Sequence, residues 1–145
     1  TALARLDPET LAPRHILPTP PGIQAAWILG PLAPGRWFVQ FSGRFQPDAQ
    51  APYEQRWLAW NARAETLPDL GALPPLPYSG SCQYAGKPGL FVVHQDFTFV
   101  LWDLRKPAPV KTLYRDRRAY RAFVVGADLY VARARSLIKI PHFLK

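Results

Sequence analysis

Apolar positions recur along the chain in two different ways. In the first half, IQAAWIL (residues 23–29) and RWFVQFSGRF (36–45) predict strands flanking a loop, GPLAPG, that is rich in turn residues. In the second of these, Trp37, Val39, Phe41 and Phe45 fall on one face and Arg36, Gln40, Ser42 and Arg44 on the other, with Phe38 as the exception; that alternation predicts a half-buried strand. PYEQRWLAWNARAETL (52–67) carries Tyr53, Trp57, Trp60, Ala64 and Leu67 at spacings of three and four, with Pro52 suited to a first helical position, and predicts an amphipathic helix packed on a sheet. From Ser81 onward the pattern shortens into SCQYA, LFVVH, FTFVLW, VKTLY, AYRAFVV, LYVARA and SLIKI, which read as successive strands.

Two of these pieces repeat. LFVVHQDFTFV (90–100) and AFVVGADLYVA (122–132) align without gaps at an offset of 32, matching Phe91 with Phe123, Val92 with Val124, Val93 with Val125 and Asp96 with Asp128. Each copy reads as a hairpin whose short turn ends in Asp. FVLWDLRKPAPV with the strands that follow it, residues 97–140, loosely resembles a β-propeller blade, in which a strand ending in W-D leads into a proline-rich link. Stacked repeats need at least three units and two are visible here, so the pattern predicts a meander rather than a repeat array. The expected fold is mainly β: an antiparallel meander sheet or open barrel with one packed amphipathic helix, with α+β as the alternative. The expected organisation is a single domain. Within it, 1–22 form a Pro-rich arm with at most a helical turn between Pro8 and Leu11, 23–67 a hairpin plus helix, 68–80 a Pro/Gly-rich crossing loop, and 81–145 a basic β-meander.

Composition narrows the class. Hydrophobic residues make up 48% and aromatics 13% of 145 residues, which excludes a disordered, charge-dominated chain and suits one core of ordinary size. No apolar run approaches the roughly 20 residues that span a bilayer, so no membrane span is expected. Cys82 is the only cysteine, which excludes an intrachain disulfide and a cysteine-rich zinc site. With no apolar leader in the first twenty residues, it points to a reducing compartment such as the cytoplasm, unless a signal peptide has been removed. Charge is the informative quantity. Residues 1–86 hold six Arg against six acids, whereas 87–145 hold twelve Lys and Arg against four acids, so the whole excess of +8 lies in the second part. Such asymmetry points to a polyanionic or acidic partner.

Catalytic signatures are thin. His94 and Asp96 form an H-x-D pair, but the repeat matches Asp96 with Asp128 and His94 with Gly126, which assigns the Asp to a turn. His15 and His142 stand near opposite ends of the chain. Cys82 as a nucleophile would need a base in reach, and no phosphate-cradling glycine motif occurs. No catalytic residue, metal or cofactor is expected, and an enzyme is the weakest of three readings.

The basic segment carries more. Between Arg105 and Arg121 stand seven cations against Asp116 alone. If residues 113–121 are extended, Arg115, Arg117 and Arg121 project to one side and Tyr114, Arg118 and Tyr120 to the other, while Arg133, Arg135 and Lys139 offer a second row on a neighbouring strand. Arginine forks fit phosphate and tyrosines stack on unpaired bases, so the leading expectation is a non-catalytic nucleic-acid-binding domain, for single strands. Its site would comprise Arg115, Arg117, Arg118, Arg121, Arg133, Arg135 and Lys139 with Tyr114 and Tyr120. The alternative is a protein-interaction module, an accessory subunit, inhibitor or immunity-type protein, whose basic face meets an acidic partner. The plainest explanation of the alternation is the solvated face of a sheet.

Overall fold

The computed structural model describes residues 2–6, 9–10, 12–46, 50–78 and 80–145, with 4–6 and 13–15 described by backbone alone. The chain is mainly β, and its residues gather into two compact units: Thr1–Ile28 with Gly35–Leu76, and Leu29–Pro34 with Pro77–Lys145. Among the described residues no helix is long and apolar enough to cross a membrane.

In the first unit β1 (Ala2–Leu6) pairs antiparallel with β2 (Pro13–Pro18), and β3 (Ile23–Ala33, which from Leu29 onward belongs to the second unit), β4 (Arg36–Gly43) and β5 (Glu54–Asn61) form a second sheet in that order. Residues 1–22 therefore hold a two-stranded ribbon. Its Leu3 and Leu17 are buried with Ile23, Val39, Phe41, Trp60 and Leu70 in one core. The helical turn expected between Pro8 and Leu11 falls on residues of which Pro8 and Leu11 lie outside the described set.

The packed helix expected at 52–67 is absent, and Glu54–Asn61 within it form β5. Eight pairs from Arg36↔Asn61 to Gly43↔Glu54 tie β5 to β4 along its whole length. The helical reading failed because β5 carries apolar groups on both faces. Trp57 and Trp60, three apart, share a helix face but point to opposite sides of a strand. Trp57 meets the Phe38 ring at 5.7 Å, and Trp60 enters the core opposite Trp37. β4 likewise is not half-buried: Phe38, Val39, Gln40, Phe41 and Ser42 are all buried, so Phe38 was the sign of a second buried face. The single helical element among the described residues is a 3-10 turn, Leu70–Ala72, where the Asp69 carboxylate accepts from the Gly71 N–H at 3.0 Å. Arg56 on β5 pins this segment. Its guanidinium pairs with Glu54 at 2.8 Å and donates to the Gly71 and Leu73 carbonyls at 2.6 and 3.2 Å.

In the second unit β6 (Cys82–Tyr84), β7 (Leu90–Gln95), β8 (Thr98–Asp103) and β9 (Ala108–Arg115) form one antiparallel meander, and β10 (Ala119–Val125), β11 (Asp128–Arg133) and β12 (Ser136–Ile140) another. All seven predicted strands are present, and neither sheet closes into a barrel. Val92, Phe99 and Leu101 of the first sheet share a core with Leu129 and Val131 of the second, completed by Ala85, Ala119 and Phe143. The two sheets thus pack face to face, each large side chain contributing about 1.5–3 kcal/mol on burial. The opposite face of the four-stranded sheet buries Phe91 and Val93, with Tyr84 edge-on to Phe91 and Tyr78 against Trp102.

The expected GPLAPG loop shrinks to Pro34 and Gly35, because β3 runs on through Gly30 and Pro31. Pro31 is tolerated on an edge strand, and its carbonyl accepts from the Gly89 N–H at 2.9 Å. Gly30 lies against Tyr84, whose Cδ2 would stand 2.9 Å from a β-carbon there.

The duplicated hairpin is real, with a different equivalence. The first turn is Asp96 and Phe97, both at positive φ (45° and 63°); the second is Gly126 and Ala127, with positive φ at Gly126 alone (61°). These are the requirements of I′ and II′ hairpins respectively. Asp96 therefore corresponds to Gly126, an offset of 30 rather than 32. At that offset Val92, Phe99 and Leu101 match Ala122, Leu129 and Val131, every one of them in or against the shared core. Asp96 is a turn residue as expected, whereas Asp128 lies on β11 opposite Val125.

Candidate nucleic-acid interface

Antiparallel meanders place alternate turns at alternate ends. In the second unit the Asp96 and Phe97 turn, the β9–β10 connection at 116–118 and the β11–β12 turn at 134–135 share one end. Asp116 ties them together. Its carboxylate accepts from the Arg118 N–H (2.8 Å), from Arg133 Nε (3.0 Å) and from the Tyr114 hydroxyl (3.3 Å), and its own N–H donates to the Phe97 carbonyl at 3.0 Å. The Arg118 N–H foremost, with the Arg133 charge and the Tyr114 hydroxyl, holds the Asp116 carboxyl below its ordinary value.

This turn breaks the extended run expected over 113–121, so the two-sided alternation stops at Asp116. In its place Arg115, Arg117, Arg118 and Arg135 are exposed at one end of the unit. Arg115 sits beside the first hairpin turn, opposite Thr98. Arg133 is held on Asp116, and the Asp96 carboxylate belongs to the same end. Five arginines thus face two acids, one of them engaged.

Two of the other expected residues lie elsewhere. Arg121 and Lys139 project from the outer face of the β10–β12 sheet. The Arg121 guanidinium covers Phe123 at 5.2 Å, and Lys139 pairs with Asp128 at 2.8 Å while lying 5.8 Å from the Tyr130 ring. That pairing raises the Lys139 ammonium and, with the His142 N–H, lowers the Asp128 carboxyl. Of the two tyrosines, Tyr114 packs against the core, whereas Tyr120 occupies an irregular step between Ala119 and Arg121 and is 62% exposed.

One aromatic was not singled out by sequence. Phe97 stands 52% exposed at φ +63°, a conformation that costs a bulky residue about 1–2 kcal/mol. The available signal was a Phe where an I′ turn prefers Gly.

The groups considered for catalysis do not converge. His94 lies flat on Phe99 at 4.4 Å on the core-facing side of its sheet, and burial pushes its pKa down. Cys82 pairs with Val93 on the opposite face, where burial pushes its thiol up to about 12, the reverse of an activated nucleophile. Tyr78, beside it, is also raised by burial. His142 lies at the far end of the unit, and the His15 side chain lies outside the described set. Among the described residues no three His, Cys, Asp or Glu side chains gather to hold a metal ion. Comparison with protein-family models, with curated proteins and with solved structures gives no match to this chain.

Proposed function

We propose that this chain is a non-catalytic nucleic-acid-binding domain for single strands, and that the arginine end of its second unit is the contact surface. The observation that carries the reading is the juxtaposition of four exposed arginines, Arg115, Arg117, Arg118 and Arg135, with two exposed aromatics, Phe97 and Tyr120. Arginines neutralise backbone phosphates, and each base stacked on an aromatic adds about 1–3 kcal/mol. Phe97 supports the reading further, since an aromatic more than half exposed stands at a turn position that favours Gly. Titration of labelled single-stranded and duplex oligonucleotides at several salt concentrations tests it. Expected is salt-sensitive binding that favours single strands; undetectable binding at low salt overturns it.

A second reading, an interaction module for an acidic protein, rests on a different surface. Phe123, Val125 and Leu137 are exposed on the outer face of the β10–β12 sheet beside Arg121 and Lys139. Capture from a lysate before and after nuclease separates the two, because a protein retained after nuclease with no copurifying nucleic acid favours the second.

A further inference from the structure

The arginine end holds a carboxylate that phosphate neutralisation does not need. Asp96 is exposed beside Phe97 at the tip of the first hairpin, and among the described residues the ion pairs engage Glu54, Asp103, Asp116 and Asp128 but not Asp96. We infer that this tip reads an unpaired guanine, with Phe97 stacking on the base and the Asp96 carboxylate accepting from the N1–H and N2–H groups of its Watson–Crick edge. The assignment rests on the nucleic-acid reading and names the base that the surface prefers.

The second hairpin shows that the fold does not require these side chains. Gly126 and Ala127 close the corresponding turn between β10 and β11 with no polar or aromatic group. At Asp96 the left-handed φ of 45° would be served equally by Asn or Gly. A carboxylate repels the phosphates that Arg115, Arg117, Arg118 and Arg135 attract, so placing one among them weakens backbone binding. Base recognition gives that charge a use. The tip is also held by its backbone: the Asp96 carbonyl accepts from Thr98 Oγ1 at 3.3 Å, and the Phe97 carbonyl from the Asp116 N–H at 3.0 Å. Neither bond occupies the carboxylate or the ring.

The chemistry of the bases selects one of them. An ionised carboxylate only accepts, through two oxygens side by side. Guanine offers two adjacent donors, N1–H and N2–H, on its Watson–Crick edge. Adenine and cytosine set a ring-nitrogen acceptor beside their amino group, and thymine and uracil flank N3–H with carbonyls, so in each the second carboxylate oxygen meets a lone pair. Guanine O6, next to N1–H, accepts from a cation, and Arg115 stands on the neighbouring strand opposite Thr98, beside the tip.

The test titrates the whole chain, at one low salt concentration, with short all-thymidine strands and with the same strands carrying one central guanosine, adenosine, cytidine or inosine. Expected is binding of the guanosine strand about tenfold tighter than the all-thymidine strand, as for one bidentate base contact, with inosine, which lacks the 2-amino group, between them. Asp96→Asn keeps a residue suited to the turn; it should bring the guanosine and all-thymidine strands within about twofold of each other while all-thymidine binding holds or rises. Equal binding of all strands, or tightest binding of the cytidine strand, overturns the guanine assignment and leaves the nucleic-acid reading standing. A guanosine preference that survives Asp96→Asn, or a loss of the same factor for every strand in that variant, overturns the role given to Asp96. No binding of any strand overturns both readings.

Discussion

Replacing Arg117 and Arg118 together by Gln gives the sharpest test of the arginine end, because the salt dependence of binding counts phosphate contacts. Four exposed arginines stand there, Arg115, Arg117, Arg118 and Arg135, with Arg133 committed to Asp116. If each neutralises one phosphate of a single strand, the logarithm of affinity falls with the logarithm of salt at a slope of about −2.8, a loss of about 50-fold between 50 and 200 mM. The double variant keeps two contacts, which sets a slope of about −1.4 and a loss of about sevenfold over the same range. The control is Arg63→Gln with Lys106→Gln, two exposed cations outside that end, which removes the same charge. Fluorescence anisotropy with a labelled oligonucleotide at four or five salt concentrations reads both slopes. A control that flattens the slope as much as Arg117→Gln/Arg118→Gln would mean that net charge alone drives binding, and the localisation of the site would fail.

Phe97→Gly removes a side chain from a left-handed position, so the folded chain should gain about 0.5–1 kcal/mol in urea unfolding while nucleic-acid affinity drops by the value of one stack, about 1–3 kcal/mol. A loss of stability, or unchanged affinity, would contradict the role assigned to that turn. The Asp116 carboxyl is held below 3.8 by the Arg118 N–H and Arg133, so its contribution to stability is present above that pH and is lost as pH falls through the lower folded value. Asp116→Asn should therefore remove part of the decline of stability on acidification below 3.8, and an unaltered acid profile would show that the clamp is not coupled to folding. With burial raising Cys82 from 9.0 to about 12, its thiolate fraction near pH 8 is about a thousandfold below that of the unfolded chain. Native protein, with Cys82 only half-buried, should therefore react with a thiol reagent far more slowly than unfolded protein at pH 8, and equal rates would refute the raised thiol.

How far the fold could be read from sequence depended on whether a strand has one buried face or two. The strands from Cys82 to Ile140 were legible because short apolar runs are separated by Gly, Asp and Pro turns, and turn chemistry survives whichever face is buried. β4 and β5 were misread for one cause: with Phe38 against Trp57 on one side and Val39, Phe41 and Trp60 in the core on the other, the period of two disappears. What remained in β5 was an accidental spacing of tryptophans that mimics a helix. The arginines were legible as a charge excess, but their grouping was set by three turns at one end of two sheets, and neither turn position nor sheet stacking is written in the alternation of 113–121.

The two-residue difference between the sequence repeat and the structural one carries the same lesson into function. An offset of 32 aligns identical letters, Phe-Val-Val and Asp, whereas 30 aligns the residues that face the shared core. Because two is the side-chain period of a strand, both offsets keep faces in register, and only the turns tell them apart. The consequence falls on Asp128. Matched to Asp96 it would be turn chemistry with no further role. On β11 it is a carboxylate shared between Lys139 and the His142 N–H, and so it anchors the turn that follows β12. The same slip also explains why Gly126 was read as the counterpart of His94: its structural counterpart is Asp96, at the tip of the other hairpin. A hairpin used twice has thus been given two tips of opposite character, Asp96 and Phe97 among arginines at one end, and Gly126 with Ala127 beside Lys87 and His142 at the other.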